Sequence, residues 1–319
     1  MKIATIGEIH EEGLKLIPRN KFDIIKIIDT SPEKLKKHLF DVDAIAIRTS
    51  NLSSNILETC KNLKIVSRHG VGYDNVDINY LNKKKIPLAI TATSNAVSVA
   101  EHVLMMMLSL SRKLIKCNSL VKNNRFTEGE SISSTYELYQ KNILILGFGR
   151  IGKTLQKLCH GFDMNIYVYD PFVSEKDIHD HNCQKIEFTQ GIEIADYISI
   201  HMPLNNLTKN LITKKELKKM KNTCFIINTA RGGIINQEDL IWALDSKVIC
   251  GAGLDVFTDE PPKKSDPILN SNNLILTPHN SALTLECRIR MGIETIKNIT
   301  SFIEGKPIYS NIINREVLS

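Results

Sequence analysis

The run GFGRIG (147–152) follows the apolar stretch KNILIL and precedes KTLQKLCHGF, which reads as a helix. A further apolar run, NIYVYD, ends at Asp170, eighteen residues past Gly152. Strand, glycine turn, helix and strand in that order leave a chain few choices, and a parallel βαβ unit uses all four. Gly147 permits the tight turn, Gly149 lets backbone approach a bound pyrophosphate, and Gly152 lets the helix pack on the strand. The helix N-terminus adds unpaired N–H groups and the positive end of a dipole, which suit an anion. Asp170 can bond both hydroxyls of a ribose, and its charge repels a 2′-phosphate. No Arg follows it in DPFVSE, so the expected cofactor is NAD rather than NADP.

The same grammar extends in both directions. KIATIG (2–7), DIIKII (23–28), AIAIR (44–48), LKIVSR (63–68) and PLAIT (87–91) read as strands separated by helical patterns. After the glycine turn come DYISIHM (196–202), CFIINTA (224–230), VICGAGLDV (248–256) and NLILTPH (273–279). Such alternation predicts an α/β protein with two doubly wound parallel sheets, each covered on both faces. Two long helices, about 97–116 and 283–303, join the units; Gly305 and Pro307 end the second. If the tail returns to the first unit, the expected division is 1–97 with 284–319, and 98–283, with a cleft between. Ligands then bind beyond the carboxyl ends of the strands. The polar segment 117–139 is too long for an ordinary connection and reads either as an interface element or as a surface loop.

Composition excludes several classes. In 319 residues, 42% are apolar and 24% charged, the balance of a globular protein rather than a disordered one. No apolar run reaches the roughly 18 residues of a membrane helix. The net charge of +6 sits largely on helix-surface lysines such as Lys214, Lys215, Lys218, Lys219 and Lys221, so no nucleic-acid partner is expected. Seven cysteines without a C-x-x-C pair argue against a disulfide framework or a zinc ribbon; no metal is expected, and a reducing cytoplasm fits. MKIATIGEIHEEG has no long apolar region, so no signal peptide is expected.

Three later strand exits carry chemistry. INTARGG (227–233) puts Arg231 just past a strand, LDVFTDEPP (254–262) puts Asp255 at a strand end and Glu260 in a Pro-bounded loop, and LTPHNSA (276–282) puts His279 at a third exit. Oxidation of a 2-hydroxy acid needs such a set. A guanidinium fork holds the carboxylate and polarises the carbonyl. An imidazole exchanges the hydroxyl proton near neutral pH, and a carboxylate beside it fixes its orientation.

With these motifs in place, the chain resembles the D-isomer-specific 2-hydroxyacid dehydrogenase family over nearly its whole length, in the branch of phosphoglycerate dehydrogenases and hydroxypyruvate reductases. RHGVGYDNVD (68–77) is similar to the family's substrate-side loop, NAVSVAEH (95–102) to its inter-domain helix, and HMPLNNLTKNLI (201–212) to its H-x-P-L segment. NTARGGIIN, GAGLDVFTDEPP and TPHNSA resemble its catalytic motifs. The resemblance implies a Rossmann-type NAD domain, a flavodoxin-like substrate domain and a homodimer. It implies that Arg231 binds substrate, Glu260 supports the imidazole and His279 is the acid/base. Arg150 and Ile151 would lie at the pyrophosphate. Met202, Thr229 and Ala230 would line the cofactor, and Asp255 would meet the nicotinamide carboxamide. Ser281 and Ala282 would flank the nicotinamide end, with Ser281 standing where the family usually has Gly. Val71 and Gly72 would offer N–H groups to the substrate carboxylate.

Arg48 and Arg68, both at expected strand ends, can hold a second anion such as a phosphate, or one can pair with Asp74 or Asp77. The substrate is therefore expected to be 3-phosphoglycerate and its oxo acid, or hydroxypyruvate or glyoxylate. An NAD-sensing corepressor-like protein and a formate- or phosphite-type dehydrogenase remain as alternatives on the same fold. With the chain ending at Ser319, feedback through an added regulatory domain is not expected.

Overall fold

Both expected sheets form. The computed structural model describes residues 1–132 and 134–318 and divides into two compact units, Met1–Asn95 with Ala282–Ser319, and Ala96–Ser281.

The first unit contains β1 (Lys2–Ile6), β2 (Asp23–Ile27), β3 (Ala44–Ile47), β4 (Ile65–Arg68) and β5 (Leu88–Ile90). They pair in parallel in the order β2-β1-β3-β4-β5, the flavodoxin-like arrangement. Successive side chains alternate between two cores. Ala4, Ile6, Ile45, Ile47 and Val66 face one; Ile3, Ala44, Ala46, Ile65 and Ala89 face the other. Burial on both faces is why these strands read as near-continuous apolar runs. The helix Leu285–Ile303 sends Ile296 and Ile299 into the second core, which brings the chain's final segment back to this unit. Thr284 caps it by accepting from the Cys287 N–H at 3.2 Å, and Gly305, at φ 74°, terminates it. The tail is tied to β5: Leu88 N–H donates to Asn314 Oδ1 at 2.7 Å, and Ile313 N–H to the Leu88 carbonyl at 2.9 Å.

The second unit contains β6 (Asn142–Leu146), β7 (Asn165–Tyr169), β8 (Gln184–Lys185), β9 (Tyr197–Ile200), β10 (Phe225–Asn228), β11 (Gly251–Leu254) and β12 (Leu274–Leu276). All pair in parallel, in the order β12-β11-β10-β9-β6-β7-β8. This is the Rossmann order with one strand added, and the direction in which successive strands are laid down reverses between β6 and β9, the switch point where such sheets take ligands. Ile143 and Ile145 face a core shared with Val103, Met106 and Met107 of the helix Ala96–Ser111; Leu144 and Leu146 face the other with Ile198 and Ile200.

Two local expectations give way to tertiary contacts. The helix expected over 97–116 stops at Ser111, and a second helix, Leu114–Lys122, begins after Lys113 at φ 50°. The Ser111 carbonyl accepts from Tyr136 N–H at 3.0 Å instead of continuing the helical ladder. The segment 117–139 is correspondingly less irregular than its polarity implies, carrying the end of that second helix and a 3₁₀ stretch, Phe126–Ser131. The two-residue β8 has no strand signature in the sequence.

The exit of β4 is strongly cationic. His69, only 4% exposed, is pushed down to about 4 by burial and then by Arg48, Arg68 and Arg288, so it is neutral in the folded protein. The unfolded chain takes up a proton near pH 6.5, which the native state refuses until about pH 4. Stability is therefore complete above pH 6.5 and falls as pH drops through this window, by about 2–3 kcal/mol from this group. Urea unfolding at pH 7 and 4.5 should show wild type losing that much more than His69→Gln. Equal losses in the two proteins would contradict the assignment.

Candidate active site

Parallel pairing sets the strand exits of the second unit in line. Leu146 lies opposite Tyr169 and Ile200, Asn228 opposite Ile200 and Leu254, and Leu254 opposite Leu276. The residues that follow therefore collect along one sheet edge: Gly147, Asp170, His201 with Met202, Thr229 to Arg231, Asp255, and Thr277 to His279.

At the glycine turn the backbone leaves no room for a side chain. Gly147 has φ 95°, and a Cβ there would stand 2.8 Å from the His201 carbonyl oxygen. A Cβ on Gly152 would lie 3.2 Å from Ile145 Cγ2, where the helix crosses the strand. Gly149 is different: it occupies the N-cap of the helix Arg150–His160, no side chain caps that end, and nothing lies within 4 Å of a Cβ built on it. The first-turn N–H groups, those of Arg150 and Ile151 included, thus open toward an anion. Asp170 ties this turn to β7 by accepting Phe148 N–H at 2.8 Å through Oδ2 and Phe172 N–H at 2.9 Å through Oδ1. Each oxygen keeps a lone pair for a ribose hydroxyl.

Further along the edge, two buried polar atoms lack a hydrogen-bond partner, Thr229 Oγ1 and His201 Nδ1. Burial pushes His201 down to about 3, and its Nε2 meets Ser199 Oγ at 2.8 Å. Met202 is buried beside it. An uncapped helix end, an oriented carboxylate and an orphaned hydroxyl on a Rossmann switch-point edge fit a dinucleotide.

His279 and Glu260 meet. His279 Nδ1 lies 2.7 Å from Glu260 Oε2, while Glu260 Oε1 accepts Phe257 N–H at 3.0 Å. A carboxylate accepts, so Nδ1 carries the proton of this bond and Nε2 is left to exchange one. The two side chains are 47% and 36% exposed, open to a solute. The turn that carries Arg231 is set against the Glu260 loop through its backbone. Asn228 clips its turn, accepting Ala230 N–H at 3.0 Å and donating to the Arg231 carbonyl at 2.8 Å. Gly232 then lets this turn lie against the Glu260 loop, since a Cβ there would sit 1.8 Å from the Phe257 carbonyl oxygen. Arg231 Nη1 donates to the Ala230 carbonyl at 2.6 Å.

Asp255 is fully buried and holds the turn that follows His279. Its Oδ1 accepts the Thr277 hydroxyl at 2.6 Å and Asn280 N–H at 2.9 Å; its Oδ2 accepts Ser281 N–H at 2.9 Å. Ser281 is buried within this clamp, and Ala282 begins the return to the first unit. Asn228 and Thr277 escape a reading of motifs. The one available signal for Asn228 is a buried amide closing the otherwise apolar strand FIIN.

In the first unit, Arg48 directly follows β3 and Arg68 closes β4, with Nη1 donating to the His69 carbonyl at 2.5 Å. Val71 and Gly72 lie in the loop beyond. Asp77, a possible partner for an arginine, instead caps a helix by accepting Tyr80 N–H at 2.9 Å. Among the described residues, no group of three or more His, Cys, Asp or Glu could hold a metal, and no helix is long and apolar enough to cross a membrane.

A Rossmann sheet with a glycine turn, a carboxylate tied to that turn and a His–Glu pair fits a nucleotide-dependent class, and comparison with known proteins narrows it. Residues 104–281 match the model of the D-isomer specific 2-hydroxyacid dehydrogenase, NAD binding domain. The chain is 31% identical to a D-3-phosphoglycerate dehydrogenase of Archaeoglobus fulgidus, over 98% of its own length and 59% of the relative's. It is 34% identical to a hydroxypyruvate reductase of Thermotoga maritima, over 84% of this chain and 87% of that one. Among solved structures, an NAD-dependent formate dehydrogenase from Staphylococcus aureus in complex with NAD superposes with a TM-score of 0.85, at 30% identity, over 98% of this chain and 99% of that chain. The chain belongs to the D-isomer-specific 2-hydroxyacid dehydrogenase family, with the NAD-binding domain in its second unit. It spans 50–59% of the length of the curated phosphoglycerate dehydrogenases it matches first.

Asp170 is expected to favour NADH over NADPH. Asp170→Ala should narrow the ratio of dissociation constants, read by nucleotide fluorescence, by at least about tenfold, the scale of one charge-assisted hydrogen bond. Wild type binding both nucleotides equally would contradict this role.

Proposed function

We propose that the protein is an NAD-dependent oxidoreductase that moves a hydride between nicotinamide and C2 of a D-2-hydroxy acid or its 2-oxo acid. The Glu260–His279 hydrogen bond of 2.7 Å, on the same sheet edge as the glycine turn, carries this reading. The cofactor is held by the N–H groups around Gly149, Arg150 and Ile151, by Asp170 at the ribose, and by Met202, Thr229, Ala230, Asp255, Ser281 and Ala282 toward the nicotinamide. When bound, the nicotinamide supplies the hydride. In the reducing direction Arg231 grips the substrate carboxylate and stabilises charge developing on the C2 oxygen. His279 gives that oxygen a proton from Nε2, while Glu260 holds Nδ1–H and stabilises the imidazolium before the transfer. In the oxidising direction the neutral imidazole takes the hydroxyl proton back.

For the substrate, we propose 3-phosphoglycerate with 3-phosphohydroxypyruvate, or hydroxypyruvate and glyoxylate. Val71 and Gly72 offer N–H groups to the carboxylate, and Arg48 and Arg68 take a second anionic group. Burial depresses His69 first, and the charges of Arg48, Arg68 and Arg288 beside it add to the effect; that gathering of positive charge supports an anion there. A formate-type reaction has one observation in its favour, the likeness to a formate dehydrogenase at 30% identity. Formate oxidation releases no hydroxyl proton, so it gives the Glu260–His279 pair nothing to exchange, and the hydroxy-acid reading is preferred. We further propose a homodimer in the cytoplasm. Leu114, Ile115, Val121 and Phe126 are exposed on the segment after Ser111, a face a second copy would cover, and none of the seven cysteines is in a disulfide.

A panel of 2-oxo acids with NADH tests the reaction and its substrate. On the best of them His279→Ala should cut kcat by roughly 10²–10⁴, the usual share of a general acid/base. Turnover near that of wild type would refute His279 as the proton donor.

A further inference from the structure

His102 belongs to no step described so far, yet it stands behind the reacting residues. It lies on the helix Ala96–Ser111 with a side chain only 13% exposed, its Nε2 3.0 Å from Thr277 Oγ1 and 3.9 Å from Asp255 Oδ1. We propose that His102 is a positioning residue for His279, acting through Thr277 and Asp255. The inference rests on the proposed function for its last link, the effect on turnover.

The direction of each bond follows from counting protons. The Thr277 hydroxyl has one, and it points to Asp255 Oδ1 at 2.6 Å. Its contact with His102 must therefore be accepting, which requires the proton of His102 on Nε2. Burial lowers the His102 titration while Asp255 draws it back up, and a neutral ring carries the single N–H the chain needs. Asp255 then gathers the Thr277 hydroxyl and the N–H groups of Asn280 and Ser281 on one buried carboxylate.

That gathering matters because of what lies inside it. His279 adopts φ 50°, a left-handed backbone unusual for a residue with a Cβ, between Thr277 and the two clamped amides. Its N–H turns back to the Thr277 carbonyl at 3.0 Å. In this conformation the ring reaches Glu260 from the end of β12. Thr277 anchors the residue two before His279 and the amides anchor the next two, so one carboxylate fixes both sides of the turn. His102 orients the hydroxyl and so keeps the anchor directed at Asp255 rather than elsewhere.

Hydrogen–deuterium exchange of the peptide spanning 277–284, in the full-length protein, reads the turn without reference to turnover. Thr277→Val and His102→Ala should speed its exchange at least tenfold. Both should lower kcat on the best 2-oxo acid about tenfold; Thr277→Ser should restore exchange and kcat together. Exchange within twofold of wild type in both variants would overturn the inference, as would a loss that Thr277→Ser does not restore. If wild type turns over no 2-oxo acid, the proposed function fails, and the exchange result still decides whether His102 and Thr277 hold the turn.

Discussion

The in-register parallel pairing of β6, β7 and β9 to β12 is the constraint on which the site depends. Each strand ends level with its neighbour, from Leu146 across Ile200, Asn228 and Leu254 to Leu276, so residues 22 to 54 positions apart in the chain leave the sheet side by side. The register is fixed by two-sided burial. Slipping one strand by a residue would exchange the side chains facing its two cores, such as Ile143 and Ile145 for Leu144 and Leu146. The positions of functional groups are thus held by apolar packing far larger in total than any contact among the groups themselves.

Alignment alone would leave loops free to wander, and backbone devices remove that freedom. Asn228 and Gly232 fasten the Arg231 turn to the Glu260 loop, Glu260 bridges to His279, and Asp255 holds the far side of the His279 turn. At the glycine turn, Asp170 links that turn to β7. Groups fixed before binding need little reorganisation when charge develops, which is where most electrostatic catalysis originates.

Much of this was legible in the sequence because the governing rules are local. GFGRIG between a strand and a helix defines a turn that only glycine can make, and Asp170 follows at the distance one helix and one strand impose. Arg231, Glu260 and His279 stood out because polar residues ended apolar runs. Most of what escaped depends on partners remote in the chain, Asn228 with its local partners Ala230 and Arg231 excepted. The helix break at Lys113 comes from Tyr136 taking the Ser111 carbonyl. Thr277 and Asn228 look like ordinary loop and strand residues until the fold shows what they hold. His102 sits inside an apolar helix, where a histidine signals nothing, and its partner Thr277 is 175 residues away.

Deuteride transfer tests the central claim most directly. NADH carrying deuterium at both C4 positions of the nicotinamide is supplied with a 2-oxo acid that the enzyme reduces to a product chiral at C2, such as hydroxypyruvate, and the product is analysed by mass spectrometry after chiral separation. A D-2-hydroxy acid with one deuterium at C2 is the expected result. Deuterium absent from C2, or an L product, would show that the residues gathered at this sheet edge do not perform the proposed chemistry.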